Sequence, residues 1–209
     1  MAFFGGNSKL RNAGRAPDHF IFEHSAGYTA VELIIVAGIM VTITAAVLIG
    51  FGTLNTNAAL NRAARDLGVS LRRAQNMSLA VSGISAIGNE VPPAVGVQLT
   101  TSATSYILFG DRIASEDLRY TSLSERIETT SFERNVRVSG FETVGSSPTP
   151  YVPAGGILHV LFSAPEADPK ITDGDGTLAP PDSITIILEA PNGNVKKVTV
   201  RESGEVSIK

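Results

Sequence analysis

The sequence predicts an α+β protein in which one long N-terminal helix precedes a head made of an antiparallel β-sheet. Two observations predict this class. Residues 28–82 contain no proline, and their apolar residues recur at helical spacing. After residue 88 the pattern changes to alternation of apolar and polar residues, and the pair Pro92-Pro93 marks the boundary. A helix followed by a run of strands is typical of the α+β class.

Composition excludes several classes of function. The 209 residues have a formal net charge of −3, so the overall charge does not indicate nucleic acid as a partner. The chain has no cysteine, which removes disulfides, thiolate nucleophiles and Cys-ligated zinc. It also lacks a nucleophile elbow, a zinc-protease helix and a phosphate-binding loop. We therefore expect neither an enzyme nor a resident cofactor.

An uncharged apolar run lies near the N-terminus. Residues 33–51 carry no charge and would span about 28 Å as a helix, close to the hydrocarbon thickness of a bilayer. No small-residue cleavage site of the usual kind follows the run, which argues against a secretory signal. A single membrane span is the prediction, and a buried helix of a soluble core is the alternative.

Glu32 lies at the front of this run. A charged residue at the centre of a span costs roughly 2.5–3.5 kcal/mol on insertion scales, and less near an end. The helix dipole favours an acid at a helix N-terminus. These effects explain why Glu32 is tolerated, but they do not explain the residues around it, "GYTAVEL" from Gly27 to Leu33.

This stretch resembles the processing site of type IV pilin-like proteins: a glycine, an aromatic residue, a threonine, two apolar residues and a glutamate. The resemblance implies that residues 1–27 are a leader, which a prepilin peptidase removes after Gly27 on the cytoplasmic side before methylating the new amino group of Tyr28. It also implies that Glu32 pairs with the positive N-terminus of a neighbouring pilin or pseudopilin subunit, because low dielectric strengthens such an attraction.

Small residues form a stripe within the predicted membrane and filament-core helix, residues 28–52. They recur at every fourth position, which lets helix backbones approach closely. The stripe consists of Gly38, Thr42, Ala46 and Gly50. We predict that it is a helix-packing surface, although small residues are common in membrane spans for other reasons.

Residues 53–88 are predicted to be an amphipathic stem. Apolar or small residues recur in steps of four and three, which predicts one buried stripe, and the stop is placed at Gly83. The helix would then run from Tyr28 to Ser82, about 80 Å. The stretch "LRRAQNMSLA" resembles the stem of minor pilins and pseudopilins. The stripe consists of Leu60, Ala64, Leu67, Leu71, Ala74, Ser78 and Val81.

Residues 89–209 are predicted to be a β-rich soluble head. Residues 94–100 and 104–110 form a predicted hairpin, and 157–163 and 183–189 have the composition of strands buried on both faces. Further strands are predicted within 135–144, 195–201 and 205–209, with turns at 191–194 and 202–204. Two segments, 145–156 and 164–182, are predicted to be loops.

The head offers few candidates for chemistry. Asp173 and Asp175 lie in "DGDG", which is similar to part of a calcium loop, but the twelve-residue spacing and the closing glutamate are missing. We prefer a solvated acidic turn and keep calcium as the alternative. His159 is interpreted as a core or surface filler, and Asp111 as a turn acid.

The leading hypothesis is a structural subunit, a minor pilin or a pseudopilin, of a type IV pilus or a type II secretion pseudopilus. It would cross the bacterial inner membrane once, with its head outside the cytoplasm, and polymerise through its N-terminal helix. Two alternatives stay open. One is a pilus-borne DNA receptor or adhesin, for which Lys196, Lys197 and Arg201 would supply a local basic patch. The other is an unprocessed single-pass membrane protein with a periplasmic sensor head.

Overall fold

The computed structural model describes residues 27–80, 82–112, 117–179 and 182–209, with the side chains of 49–53 left out. In this part of the chain, helix α1 (Ala30–Ala80) precedes ten β-strands, so the predicted α+β class is confirmed. The chain divides into two compact units, Met1–Thr44 and Ala45–Lys209. The predicted leader lies outside the described residues, apart from Gly27.

The first part of α1 is apolar on all sides. Residues Ala30–Leu48 have a mean hydropathy of 2.5, and none of this segment is buried. It is the one helix in the described ranges that is long and apolar enough to cross a membrane, although a signal sequence would meet the same criteria. This agrees with the predicted membrane segment at the level of length and composition.

The second part of α1 is amphipathic. The predicted stripe is confirmed, because its six described members are at most 3% exposed: Leu60, Ala64, Leu67, Leu71, Ala74 and Ser78. Val81 lies outside the described residues. Arginines occupy the opposite side, where Arg62 pairs with Glu133 and Arg73 with Glu128 across 2.6 and 2.5 Å. This part of the helix therefore forms one wall of the core.

The head contains two antiparallel five-stranded sheets, whereas the sequence predicted a single sheet. The first sheet has the order β3 (Arg126–Ser131), β2 (Ser105–Asp111), β1 (Ala94–Thr100), β6 (Ile157–Ser163), β7 (Asp168–Asp173). The second sheet has the order β10 (Val206–Ile208), β9 (Val195–Val200), β8 (Ile184–Glu189), β4 (Arg137–Thr143), β5 (Pro150–Tyr151). Each sheet packs one face into the same core as the α1 stripe.

The outer face of the first sheet is partly covered as well. Phe109 and Leu161 form a second, smaller apolar cluster there, and Leu118 and Tyr120 pack against it. The first sheet is therefore buried on both faces along β1, β2 and β6. This confirms the interpretation of "ILHVLFS" as a strand with little exposure on either side.

Both predicted loops of the head contain strands. Residues 164–182 include β7, which pairs with β6 along its whole length, and 145–156 includes the short β5. The loop prediction was wrong for β7 because "DPKITD" is mostly polar and has a proline as its second residue. Both features argue against a central strand, but an edge strand tolerates them. The edge strand β3 was missed because "RIETTS" is mostly exposed and buries too few residues to alternate.

The helix is described as far as Ala80, and a short 3₁₀ helix follows at Ser85–Ile87. The predicted last helical residue, Ser82, is not helical, and Val81 lies outside the described residues. Gly83 is the predicted helix stop. Its backbone passes so close to another segment that an added Cβ would lie 2.4 Å from the carbonyl oxygen of Asn89. Close approach of two backbone segments explains this glycine.

Candidate functional site

The first turn of α1 is closed by a reciprocal pair of hydrogen bonds. The Glu32 backbone N–H donates to the Thr29 hydroxyl oxygen across 3.2 Å, and the Thr29 backbone N–H donates to Glu32 Oε2 across 3.3 Å. Because α1 begins at Ala30, Thr29 is the N-cap and Glu32 is the third helical residue. This is a capping box, which satisfies two backbone donors that a helix start leaves free.

The residues flanking this turn are accessible. The Tyr28 side chain is 82% exposed, and nothing lies within 4 Å of the position that a Cβ on Gly27 would take. The Gly27–Tyr28 peptide bond therefore lies immediately before the capped turn, on a segment that no other described residue encloses. Three residues separate Tyr28 from Glu32.

The small-residue stripe follows within the same helix. Gly38 has nothing within 4 Å of its added Cβ, so the stripe leaves a shallow depression there. The Thr42 hydroxyl donates to the carbonyl oxygens of Gly38 and Ile39 across 3.1 and 2.8 Å, which keeps it from presenting a free donor. The side-chain environment at Gly50 lies outside the described residues. The packing role of Gly38, Thr42, Ala46 and Gly50 remains a prediction.

Asp173 and Asp175, the calcium candidates, are engaged within the head. The Tyr151 hydroxyl donates to Asp173 Oδ1 across 2.6 Å, and the Thr177 backbone N–H donates to Asp175 Oδ1 across 3.0 Å. The bond to Thr177 lowers the pKa of Asp175 below its usual range, while burial raises the pKa of Tyr151. Asp175 is exposed and bonds within its own turn, whereas Asp173 ends β7 and bonds Tyr151 of β5. The choice between a solvated acidic turn and a calcium site remains a prediction.

A different group of acids converges at the end of β2. Carboxylate oxygens of Asp111, Asp117 and Glu125 lie within 4.8 Å of one another. Their described hydrogen bonds are all made with residues that follow β2. Asp111 Oδ2 accepts a hydrogen bond from the Leu118 N–H across 3.1 Å, and Asp117 Oδ2 accepts one from Arg119 Nε–H across 2.9 Å. Glu125 accepts the N–H of Thr121 across 2.7 Å.

This acidic cluster was missed in the sequence because its members are spread over fifteen positions with no metal-binding spacing. Asp111 is the last residue of β2 and is fully buried, so its interpretation as a turn acid was wrong. Three carboxylates at this separation are a donor set that a hard cation could use. Each of the three has a partner in the protein, and these bonds anchor the segment that covers the first sheet. Asp117 Oδ1 is nevertheless buried without a hydrogen-bond partner among the described residues.

His159 is a core residue, as one of the two interpretations of it held. Its side chain is 1% exposed, its Nδ1–H donates to the Asp173 carbonyl oxygen across 3.2 Å, and its ring meets Phe109 edge-on. Nε2 is buried without a hydrogen-bond partner among the described residues. Burial lowers the pKa of His159 to about 4, so the imidazole is neutral at pH 7.

Comparison of the chain with protein-family models, with curated proteins and with solved structures gave no match.

Proposed function

We propose that this protein is a pilin-like subunit, a minor pilin or a pseudopilin, that is processed after Gly27 and joins a filament through α1. The observation that carries the proposal is the position of Glu32. It is the third residue of a helix that begins two residues after the proposed cleavage site. The "GYTAVEL" motif and the helix start thus coincide.

The two parts of α1 support this function separately. Residues 30–48 expose their apolar side chains all round, which suits burial in a membrane and then against other helices. Between residues 59 and 78 the helix buries one stripe in the head, so the same helix also anchors a folded domain. A subunit that must leave a bilayer while carrying a head outside it needs both properties.

The capping box defines the state of Glu32 before assembly. In the isolated chain its carboxylate accepts bonds from Thr29 and is not left unpaired. Cleavage after Gly27 would create an ammonium group on Tyr28, next to Thr29. The proposed pairing with a neighbour's ammonium therefore has to replace two long hydrogen bonds of 3.3 and 3.4 Å, which is a small loss.

The partners that follow from this function are a prepilin peptidase with methylase activity, other pilin or pseudopilin subunits, and the bacterial inner membrane. The head would lie outside the cytoplasm. We expect no catalytic activity of the chain itself. The adhesin, DNA-receptor and sensor alternatives differ from this proposal in their ligands or in the fate of the leader.

The test is mass spectrometry of the N-terminal peptide of the protein isolated from membranes of its native host. We expect a peptide that begins at Tyr28 and carries one added methyl group. An N-terminus at Met1, or cleavage at another bond, would contradict the proposal. The chain would then be a single-pass membrane protein whose Glu32 serves only as a helix cap.

A further inference from the structure

A groove of about 280 Å³ lies on the outer face of the second sheet. Strands β8 and β9 bury Ile186 and Val198 in the core, and the alternating residues Thr185, Lys197 and Thr199 lie on the opposite face. The segment between β4 and β5 adds a wall to this groove with Val144, Gly145 and Pro148. All of its lining residues belong to the unit Ala45–Lys209.

A row of hydroxyl groups forms the floor. Strand register places Glu142, Thr185, Thr199 and Ser207 side by side on four neighbouring strands. Thr185 and Thr199 are only 8% and 9% exposed, and their hydroxyl oxygens are 3.0 Å apart. One hydrogen bond between two hydroxyls uses one of their two protons. The other proton remains available to an acceptor placed in the groove.

Cations flank this row on both sides. Lys197 and Lys209 exchange backbone hydrogen bonds and so lie opposite each other, two residues from the hydroxyl row, and Arg201 lies two residues beyond it on the other side. Each of these three cations lines the groove. Two residues along a strand correspond to about 7 Å, which is within reach of the long side chains.

The lining is basic in a chain of net charge −3. Its charged residues are three cations and one acid, Glu142. Lys197 Nζ donates a hydrogen bond to Glu142 Oε2 across 2.6 Å, and this bond holds the ammonium group over the floor. Arg201 Nε lies 3.4 Å from a carboxylate oxygen of the exposed Glu205. An excess of cations in a concave site attracts anions.

We propose that this groove binds the phosphate group of an anionic ligand. A phosphate offers several acceptor oxygens at once, so it can take the free hydroxyl proton and charge-assisted bonds from Lys197, Lys209 and Arg201 together. This site lies apart from the N-terminal motif and does not depend on the function proposed above. Of the three residues of the basic patch predicted from the sequence, Lys197 and Arg201 line the groove, whereas Lys196 does not.

The test is titration of the full-length, ¹⁵N-labelled chain in detergent micelles with inorganic phosphate at constant ionic strength. We expect saturable chemical-shift changes at residues of the groove, with a dissociation constant on the order of 1 mM. Lys197→Gln should weaken binding by about tenfold, because it removes a charge-assisted donor to the phosphate, and the double variant Thr185→Val/Thr199→Val should also weaken it, because it removes both hydroxyl protons of the floor. Thermal denaturation verifies that both variants are folded.

Lys196→Gln is the matched control. It removes the same charge one position earlier in β9, on the opposite face, and should leave phosphate affinity unchanged. Equal weakening by Lys196→Gln and Lys197→Gln, or shifts that do not saturate by about 20 mM, would mean an adventitious ion only and would overturn the proposal. Competition by a single-stranded oligodeoxynucleotide would favour a nucleic-acid backbone as the source of the phosphate, and phosphate binding without competition would exclude that source.

Discussion

Thr29 and Glu32 hold each other at the start of α1, with the hydroxyl oxygen of Thr29 3.2 Å from the backbone nitrogen of Glu32 and the carboxylate of Glu32 3.3 Å from the backbone nitrogen of Thr29. The pair gives Glu32 a local role in the isolated chain. The resemblance to pilin-like processing sites implies a second role, in which the charge of the carboxylate is what matters. The two roles make different demands on the side chain, so substitutions can separate them.

Glu32→Gln should block assembly while leaving the helix start intact. Glutamine serves a capping box as well as glutamate does, so the cap persists and only the charge is lost. Thr29→Ala should do the opposite: it removes the N-cap at a cost of about 1 kcal/mol but keeps the carboxylate. The measurement is the amount of each variant in filaments sheared from the native host, relative to the amount in its membranes. Equal incorporation of Glu32→Gln and the unmodified chain would show that capping is the whole role of Glu32.

Leu67→Ala should destabilise the head by roughly 2–5 kcal/mol, because Leu67 is fully buried in the α1 stripe and its truncation leaves a cavity. Val69→Ala is the control on the same helix. Val69 is 60% exposed, so its truncation should change stability by less than about 0.5 kcal/mol. Urea denaturation followed by circular dichroism measures both. Similar losses for the two variants would contradict the assignment of the buried face.

Gly96→Ala should destabilise the first sheet by about 1–3 kcal/mol. An added Cβ would lie 2.6 Å from the backbone oxygen of Val160 and 2.9 Å from Leu161 Cα, and neither backbone atom can move freely within a paired strand. Gly140→Ala is the matched control in the second sheet, where nothing lies within 4 Å of the added Cβ. The control should be neutral or slightly stabilising, because alanine restricts the unfolded chain. If the two midpoints of urea denaturation shift equally, β1 and β6 do not approach as closely as described.

Stability should depend on pH through His159. Burial lowers its pKa in the folded protein to about 4, below the unfolded value of about 6.5. Between these values the unfolded chain binds a proton that the folded protein does not, so stability falls as pH decreases from 6.5 to 4. The full loss is about 3 kcal/mol.

His159→Gln isolates this contribution. The variant keeps every carboxylate and the other two histidines of the chain, so only the component that comes from residue 159 should disappear from the pH profile. The free energy of unfolding, measured at intervals between pH 7 and 4, should therefore fall less steeply for the variant. Parallel profiles would mean that His159 binds a proton equally well in the folded and unfolded states.

Local patterns were sufficient for the helix and the central strands. The stripe through Leu60, Leu67 and Leu71 follows from helical periodicity, and the hairpin of β1 and β2 follows from alternation around a polar turn. Strand β7 could not be predicted in this way, because its backbone pairing with β6 places polar residues at an edge. Pairing energy resides in the backbone, which side-chain patterns reveal only when one face is buried.

By itself, the sequence determined the length and apolar character of residues 33–51, the position of Glu32 near the start of α1, and the buried stripe of α1, since each depends on residues within a few turns of one another. Tertiary structure decided the rest. It divided the head into two sheets, brought Asp111 and Glu125 together, and placed Lys197 and Lys209 beside the same two threonines. These relationships join residues that are far apart in the sequence. Strand order and strand register create them, and neither can be deduced from the spacing of residues along the chain.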